Sequence, residues 1–355
     1  MKRRLATIYA VFCTLLLVAG FLLVFYFSWQ AGTTQTAKCI IGLVMGFVLA
    51  PSIHELGHVS FALIAKMDYV YVKCFCFKIY SKNGKKRLGF ASPFAADETQ
   101  VMPKVGGNMK KRAGMYALGG LIYSGIFLLI VLGGIVLTAC FNVTSYKLLG
   151  MLPYVAYLFL LNVLPFEYAS GKTDALVYKG IRKGYDAERC MLAAMEIQGQ
   201  LFEGKSFAEI EKEYYFAQPQ LCEDEPLYAV MLDLQYRYYL EKEELEKAAD
   251  RLNRLAKNEE YLPLSKIEEV AAELVYMHSL TGNLELAESN YSVCKEFLQG
   301  NTVAAKRILA VYAFACGKLD ACEVLLRQAH EALEKERIAG VRKFEKVLLS
   351  RIKVE

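Results

Sequence analysis

Two of the chain's four histidines, His54 and His58, stand four residues apart, and Glu55 directly follows the first. On an α-helix, residues four apart share a face, so both imidazoles can reach one metal ion with the glutamate beside it. This is the HExxH spacing, in which two histidines hold zinc and the glutamate acts as base toward a zinc-activated water. Random placement of residues in a chain of this composition predicts roughly 0.005 such motifs, so chance is a weak rival. The expected cofactor is therefore Zn2+. His278 and His330 lie far along the chain and read as ordinary helix residues. None of the ten cysteines forms a CxxC pair, which argues against a thiolate zinc site. Cys74 and Cys76 share one face of an expected strand and read as packing residues rather than ligands.

The elements that must position this motif are apolar. The chain is 55% hydrophobic, with a positive mean hydropathy of +0.25, too oily for an ordinary soluble protein of 355 residues. Four stretches are long enough to cross a bilayer: Leu5–Ser28, Cys39–Ala65, Ala113–Tyr146 and Leu148–Phe166. The second is interrupted only by His54, Glu55 and His58, and ionisable residues inside a span mark function because burying them there is costly. The basic leader Lys2-Arg3-Arg4 also fits a signal peptide, but the apolar run behind it is too long and lacks an Ala-x-Ala exit, so the first stretch reads as a retained span. Residues 67–112 carry ten basic residues against three acids, and Lys172, Lys179, Arg182 and Lys183 follow the fourth span. Positive charge collects on the cytoplasmic side, which places the N-terminus, the 67–112 loop and the C-terminal half there. The expected location is a multi-pass protein of a bacterial cell membrane with both termini cytoplasmic. The Asn142-Val143-Thr144 sequon lies too near the membrane to carry meaning.

The 67–112 loop opens with a strand-like run, Tyr69–Tyr80. Ser81-Lys82-Asn83-Gly84 then offers a turn, and Arg87–Ala91 returns. Both faces of this hairpin are apolar, so it is expected to dip into the membrane or pack on the spans. Beyond about Ala175, apolar residues recur at helical spacing among Glu, Lys and Arg, as in soluble amphipathic helices. Gly282-Asn283-Leu284-Glu285 followed by Ala287 is echoed by Gly317-Lys318-Leu319-Asp320-Ala321, 35 residues on (317 − 282), with a fainter copy at Tyr239 through Ala248. The echo resembles tetratricopeptide repeats, which stack helix pairs at a period of ~34 residues; a helical bundle without true repeats is the alternative.

An HExxH motif inside an apolar span resembles the site-2 protease family of intramembrane metalloproteases, over about residues 39–180. The family's second motif, Asn-x-x-Pro followed by Asp, has its counterpart in Asn162-Val163-Leu164-Pro165 and Asp174. The resemblance implies Asp174 as third zinc ligand and Asn162 as a residue holding the substrate backbone. Glu167, directly after the apolar run, is the competing third ligand. The chain departs from the family in having Asp174-Ala175 for the usual Asp-Gly and nine positions between Pro165 and Asp174. Within Gly119-Gly120-Leu121-Ile122-Tyr123-Ser124, Ser124 stands where the family has an Asn. The fold expected is mainly α: a transmembrane metalloprotease domain over 1–180, with about four spans and a membrane-associated β-hairpin, then a cytoplasmic tetratricopeptide-like helical domain over 181–355. The activity implied is zinc-dependent hydrolysis of peptide bonds in membrane-embedded or membrane-proximal substrates. The partners expected are the lipid bilayer, a membrane protein or peptide substrate, and a cytoplasmic protein on the helical domain, with no nucleic acid. The alternatives are a membrane-anchored interaction scaffold with a vestigial metal site, and a metal transporter, which would need inverted repeats and several polar spans that the sequence lacks.

Overall fold

The computed structural model describes residues 2–82, 85–92, 98–168 and 171–352. It is 73% helix with a small sheet. The chain divides into two compact units, one of residues 1–102 and 108–185, the other of residues 103–107 and 186–355.

In the first unit, α1 (Lys2–Gln30) and α2 (Thr33–Ile64) lead into β1 (Met67–Cys74), β2 (Phe77–Lys82), β3 (Lys85–Phe90) and β4 (Glu98–Pro103). Next come α3 (Met109–Cys140), α4 (Tyr146–Val163), the two-residue strands β5 (Glu167–Tyr168) and β6 (Gly171–Lys172), and α5 (Asp174–Lys183). Helices α1 to α4 are each long and apolar enough to cross a membrane. Leu15, Leu22, Trp29, Leu129 and Val136 lie more than half exposed on them. Surfaces of this kind are stable in lipid and a liability in water. The spans pack through small residues, which let backbones approach closely. A Cβ on Gly42 would meet the Lys147 carbonyl oxygen at 2.0 Å, and one on Gly150 would meet that of Cys39 at 2.1 Å, so α2 and α4 touch backbone to backbone.

Two expectations are corrected. The third apolar stretch does not run on to Tyr146. Helix α3 ends at Cys140, Asn142 takes a left-handed φ of 55°, and α4 begins at Tyr146. The Tyr69–Tyr80 run is not one strand. It folds at Phe75 and Cys76, with Phe75 at φ 54°, so that Cys74 pairs with Phe77 and Tyr71 with Tyr80. Cys74 and Cys76 therefore sit at a bend rather than on one strand face. β2 and β3 pair from Phe77↔Phe90 to Lys82↔Lys85, while Asn83 and Gly84 of the expected turn fall outside the described residues. In place of a lone hairpin there is a four-stranded sheet in the order β3-β2-β1-β4. Phe77, Leu88 and Phe90 are exposed on it.

The second unit is helical among its described residues: α6 (Asp186–Phe202), α7 (Glu213–Phe216), α8 (Pro226–Glu241), α9 (Leu245–Lys257), α10 (Leu264–Leu280), α11 (Leu284–Val293), α12 (Lys295–Gln299), α13 (Val303–Ala315), α14 (Leu319–Leu333) and α15 (Ala339–Ser350). Ala248, Leu252 and Leu255 on α9 are buried at helical spacing; burying one leucine contributes about 1.5–3 kcal/mol. The pairs α8/α9, α10/α11 and α13/α14 share one connection. Glu243, Gly282 and Gly317 hold the left-handed position at φ 61°, 75° and 72°. In each, the next residue's N–H bonds a carbonyl five residues back: Glu244 to Tyr239, Asn283 to His278, and Lys318 to Ala313. Five residues after each of those three positions comes a fully buried small residue: Ala248, Ala287 or Cys322. The structural echo of Ala287 is thus Cys322, one place beyond the Ala321 of the sequence alignment.

The core of this unit also holds a buried ionic network. Arg307, fully buried, donates through Nε to Glu345 and through Nη2 to Glu273, both at 2.8 Å, and lies over the Tyr276 ring. The Tyr236 hydroxyl donates to the second Glu273 oxygen at 2.8 Å. Burial pushes the Glu345 carboxyl above its ordinary range, against the pull of Arg307. Residues 103–107 pack on α6 of this unit: the Gly107 N–H donates to Glu196 at 2.7 Å, and a Cβ on Gly199 would meet the Val105 carbonyl oxygen at 2.6 Å.

Candidate metal centre

The HExxH residues lie in the later half of α2, where helical spacing turns His54 and His58 toward α3. α3 is drawn against this face by a glycine contact, in which a Cβ on Gly57 would meet the Gly119 carbonyl oxygen at 2.3 Å. One residue on, Gly120 leaves open the space that both imidazoles face. His54, Glu55 and His58 are all buried, at 8%, 6% and 7% exposure.

Asp174 reaches the two histidines from α5, of which it is the first residue. Thr173 caps this helix, its hydroxyl oxygen accepting the Leu176 N–H at 3.2 Å. The same hydroxyl donates to the Leu164 carbonyl at 2.8 Å, and the Thr173 N–H donates to the Phe166 carbonyl at 3.0 Å. The chain therefore leaves at Phe166, runs out and back through β5 and β6 with Glu167 paired to Lys172, and returns beside its starting point. This hairpin absorbs the extra residues between Pro165 and Asp174. Ala169 and Ser170 fall outside the described residues. The helix N-terminus also favours a carboxylate at this position.

The donor atoms converge. His54 Nε2 and His58 Nε2 are 3.3 Å apart, and the Asp174 carboxylate oxygens lie 3.2 Å from the first and 3.4 Å from the second. The far side of each ring has a hydrogen-bond partner. His58 Nδ1 lies 2.9 Å from the Tyr116 carbonyl, which can only accept, so Nδ1 carries the proton and Nε2 of the neutral ring presents a lone pair. His54 Nδ1 lies 2.9 Å from Ser124 Oγ, a hydroxyl that accepts when Nδ1 carries the proton. Asp174 Oδ2 is buried without a hydrogen-bond partner.

Lone pairs this close repel unless a proton or a metal cation lies between them. Tetrahedral zinc with bonds of about 2.0–2.1 Å sets its ligand atoms roughly 3.3–3.4 Å apart; the two Nε2 atoms stand 3.3 Å apart, and each has one Asp174 oxygen at 3.2–3.4 Å. A Cβ at Gly120 would fall 2.4 Å from His58 Nε2 and 2.7 Å from His54 Nε2, inside the space an ion would take. Two imidazoles and one carboxylate form a donor set suited to zinc, and three protein ligands leave a position for water. The residues fit the metal.

Of the residues singled out in the sequence, His54, His58 and Asp174 come together. Glu55 turns to β4, where the Thr99 hydroxyl donates to its Oε2 at 2.5 Å. The Tyr116 hydroxyl in turn donates to the Thr99 carbonyl at 2.5 Å. Glu167 is exposed on β5 and stands outside the cluster. Asn162 donates its amide to the Leu158 carbonyl one turn back on α4, at 3.2 Å, and is likewise outside the cluster. Sequence reasoning missed Thr99, Tyr116 and the space at Gly120. For Ser124 it had only a mismatch with a family pattern, whereas the side chain orients His54.

The chain was compared with protein-family models, with curated proteins and with solved structures, and nothing matches in any of the three.

Proposed function

We propose that the chain is an intramembrane zinc metalloprotease of the site-2 type, with His54, His58 and Asp174 as zinc ligands and Glu55 as general base. The observation that carries this reading is two histidine Nε2 atoms 3.3 Å apart with an Asp174 carboxylate oxygen within 3.4 Å of each, beside a glutamate, the histidines and glutamate lying on a helix apolar enough to cross a membrane. Zinc held there supplies two things, acidification of water to a pKa near 7 and polarisation of the scissile carbonyl.

The remaining steps belong to the chain. Glu55 takes a proton from the attacking water as its oxygen bonds to the carbonyl carbon. It delivers that proton to the amide nitrogen as the C–N bond breaks, so an acid and an amine leave. Ser124 and the Tyr116 carbonyl hold the two imidazoles in their metal-facing orientation. Burial of the motif keeps bulk water from competing with substrate. Asn162, by family resemblance, holds the substrate backbone, for which it must give up its local bond to Leu158.

The substrates are membrane-embedded or membrane-proximal polypeptides, reached from the cytoplasmic side where the basic loops place this end of α2. The exposed Phe77, Leu88 and Phe90 support a sheet that rests in the lipid interface. The helix pairs, with their shared turn, support a tetratricopeptide-like unit that binds a protein partner. The test is a comparison of membrane proteomes from cells carrying the wild-type chain or Glu55→Gln. Full-length membrane proteins that accumulate only with Glu55→Gln are the expected result; identical proteomes, with no cleavage by the purified wild type, would remove the reading.

A further inference from the structure

We infer that Thr99 is the residue that positions the catalytic base, so that strand β4 is a working part of the active site and not a wall beside it. The inference rests on the metalloprotease reading. A glutamate has three rotatable bonds, and a general base needs its carboxylate held within hydrogen-bond reach of the water it serves. Glu55 obtains this hold from outside its own helix. The Thr99 hydroxyl donates to Oε2 at 2.5 Å, in the range of charge-assisted O–H···O⁻ bonds, which are short and strong. A hydroxyl has one proton to give, and here it goes to Glu55.

Threonine suits the task because its branched Cβ restricts the first side-chain torsion. The strand is fixed in turn: the Thr99 carbonyl accepts the Tyr116 hydroxyl at 2.5 Å, and the Tyr116 carbonyl accepts His58 Nδ1–H at 2.9 Å. Base, strand and metal ligand are thus joined through Glu55, Thr99, Tyr116 and His58. β4 is the end strand of its sheet, next to β1.

The test uses the full chain in lipid nanodiscs. Thr99→Val keeps the shape and removes the hydroxyl; it should hold the wild-type zinc content and KM but lose about 10–100-fold in kcat. Thr99→Ser should recover most of that loss. A valine variant within twofold of wild type overturns the inference. So does loss of zinc in that variant, or a serine variant as slow as valine, since either would make Thr99 a packing residue. A second readout needs no activity. Hydrogen exchange of residues 98–103 should quicken severalfold in Glu55→Leu, which removes the acceptor; unchanged exchange overturns the contact. If wild type cleaves nothing while exchange responds, the protease reading has failed and the Thr99 contact stands.

Discussion

Gly120→Ala places one methyl group where the metal would sit. Its Cβ would lie 2.4 Å from His58 Nε2 and 2.7 Å from His54 Nε2 and Cε1. Carbon and nitrogen in van der Waals contact need about 3.5 Å, so one imidazole must retreat by about 1 Å or rotate away. Position 120 is inside α3, where alanine is favoured over glycine by about 1 kcal/mol, so the helix itself is not penalised. The loss falls on the site. Four-ligand zinc sites bind with roughly 10–16 kcal/mol, or about 3–4 kcal/mol per ligand. Displacing one histidine should therefore weaken zinc by about 10²–10³-fold. Chelator competition on the protein in nanodiscs measures that affinity, and far-UV circular dichroism checks that the helices remain. Wild-type zinc affinity in a folded Gly120→Ala protein would refute the placement of the metal between the two Nε2 atoms.

Further outcomes follow from the same contacts. Ser124→Ala frees the far side of the His54 ring and should lower zinc affinity by about 10–100-fold, again by chelator competition, while Ser124→Thr should largely preserve it. Ending the chain after residue 190 should leave one zinc per chain, because all three ligands lie in the first unit, and should change which substrates are cut; loss of zinc would assign the helical unit a part in the site. Arg307→Leu leaves Glu273 and Glu345 buried without their cation and should destabilise the helical unit by about 3–5 kcal/mol, read as hydrogen exchange of α10, α13 and α15. For Glu345 the folded carboxyl titrates above its unfolded value, so its contribution is full below the ordinary carboxylate range and is lost as pH rises through the raised value. Glu345→Gln should flatten that slope, and an unchanged slope would show that Glu345 is not its source.

How much of this was legible in the sequence depended on whether a residue's role follows from spacing along one element. His54 and His58 are four residues apart on a helix with Glu55 next to the first, so the shared face of the two histidines is set locally and shows in the sequence. Asp174 was visible only through a family pattern, because the β5–β6 excursion that returns it has no periodic signature. Thr99 carries no motif: a lone threonine on a six-residue strand gains its meaning from a helix 44 positions away. The fold at Phe75 was hidden because no Gly, Asn or Asp marks it, and a bulky residue takes the left-handed conformation. Glu243 does the same at the first of the three helix-pair turns, which is why that copy read as faint beside Gly282 and Gly317.

The most direct test of the account is the zinc content of the purified full-length chain, measured together with cleavage of a membrane substrate, in wild type, Glu55→Gln and Asp174→Ala. The account predicts one zinc per chain with cleavage in wild type, one zinc without cleavage in Glu55→Gln, and neither in Asp174→Ala. Full turnover by Glu55→Gln, or full zinc and activity in Asp174→Ala with both lost in Glu167→Ala, would contradict it.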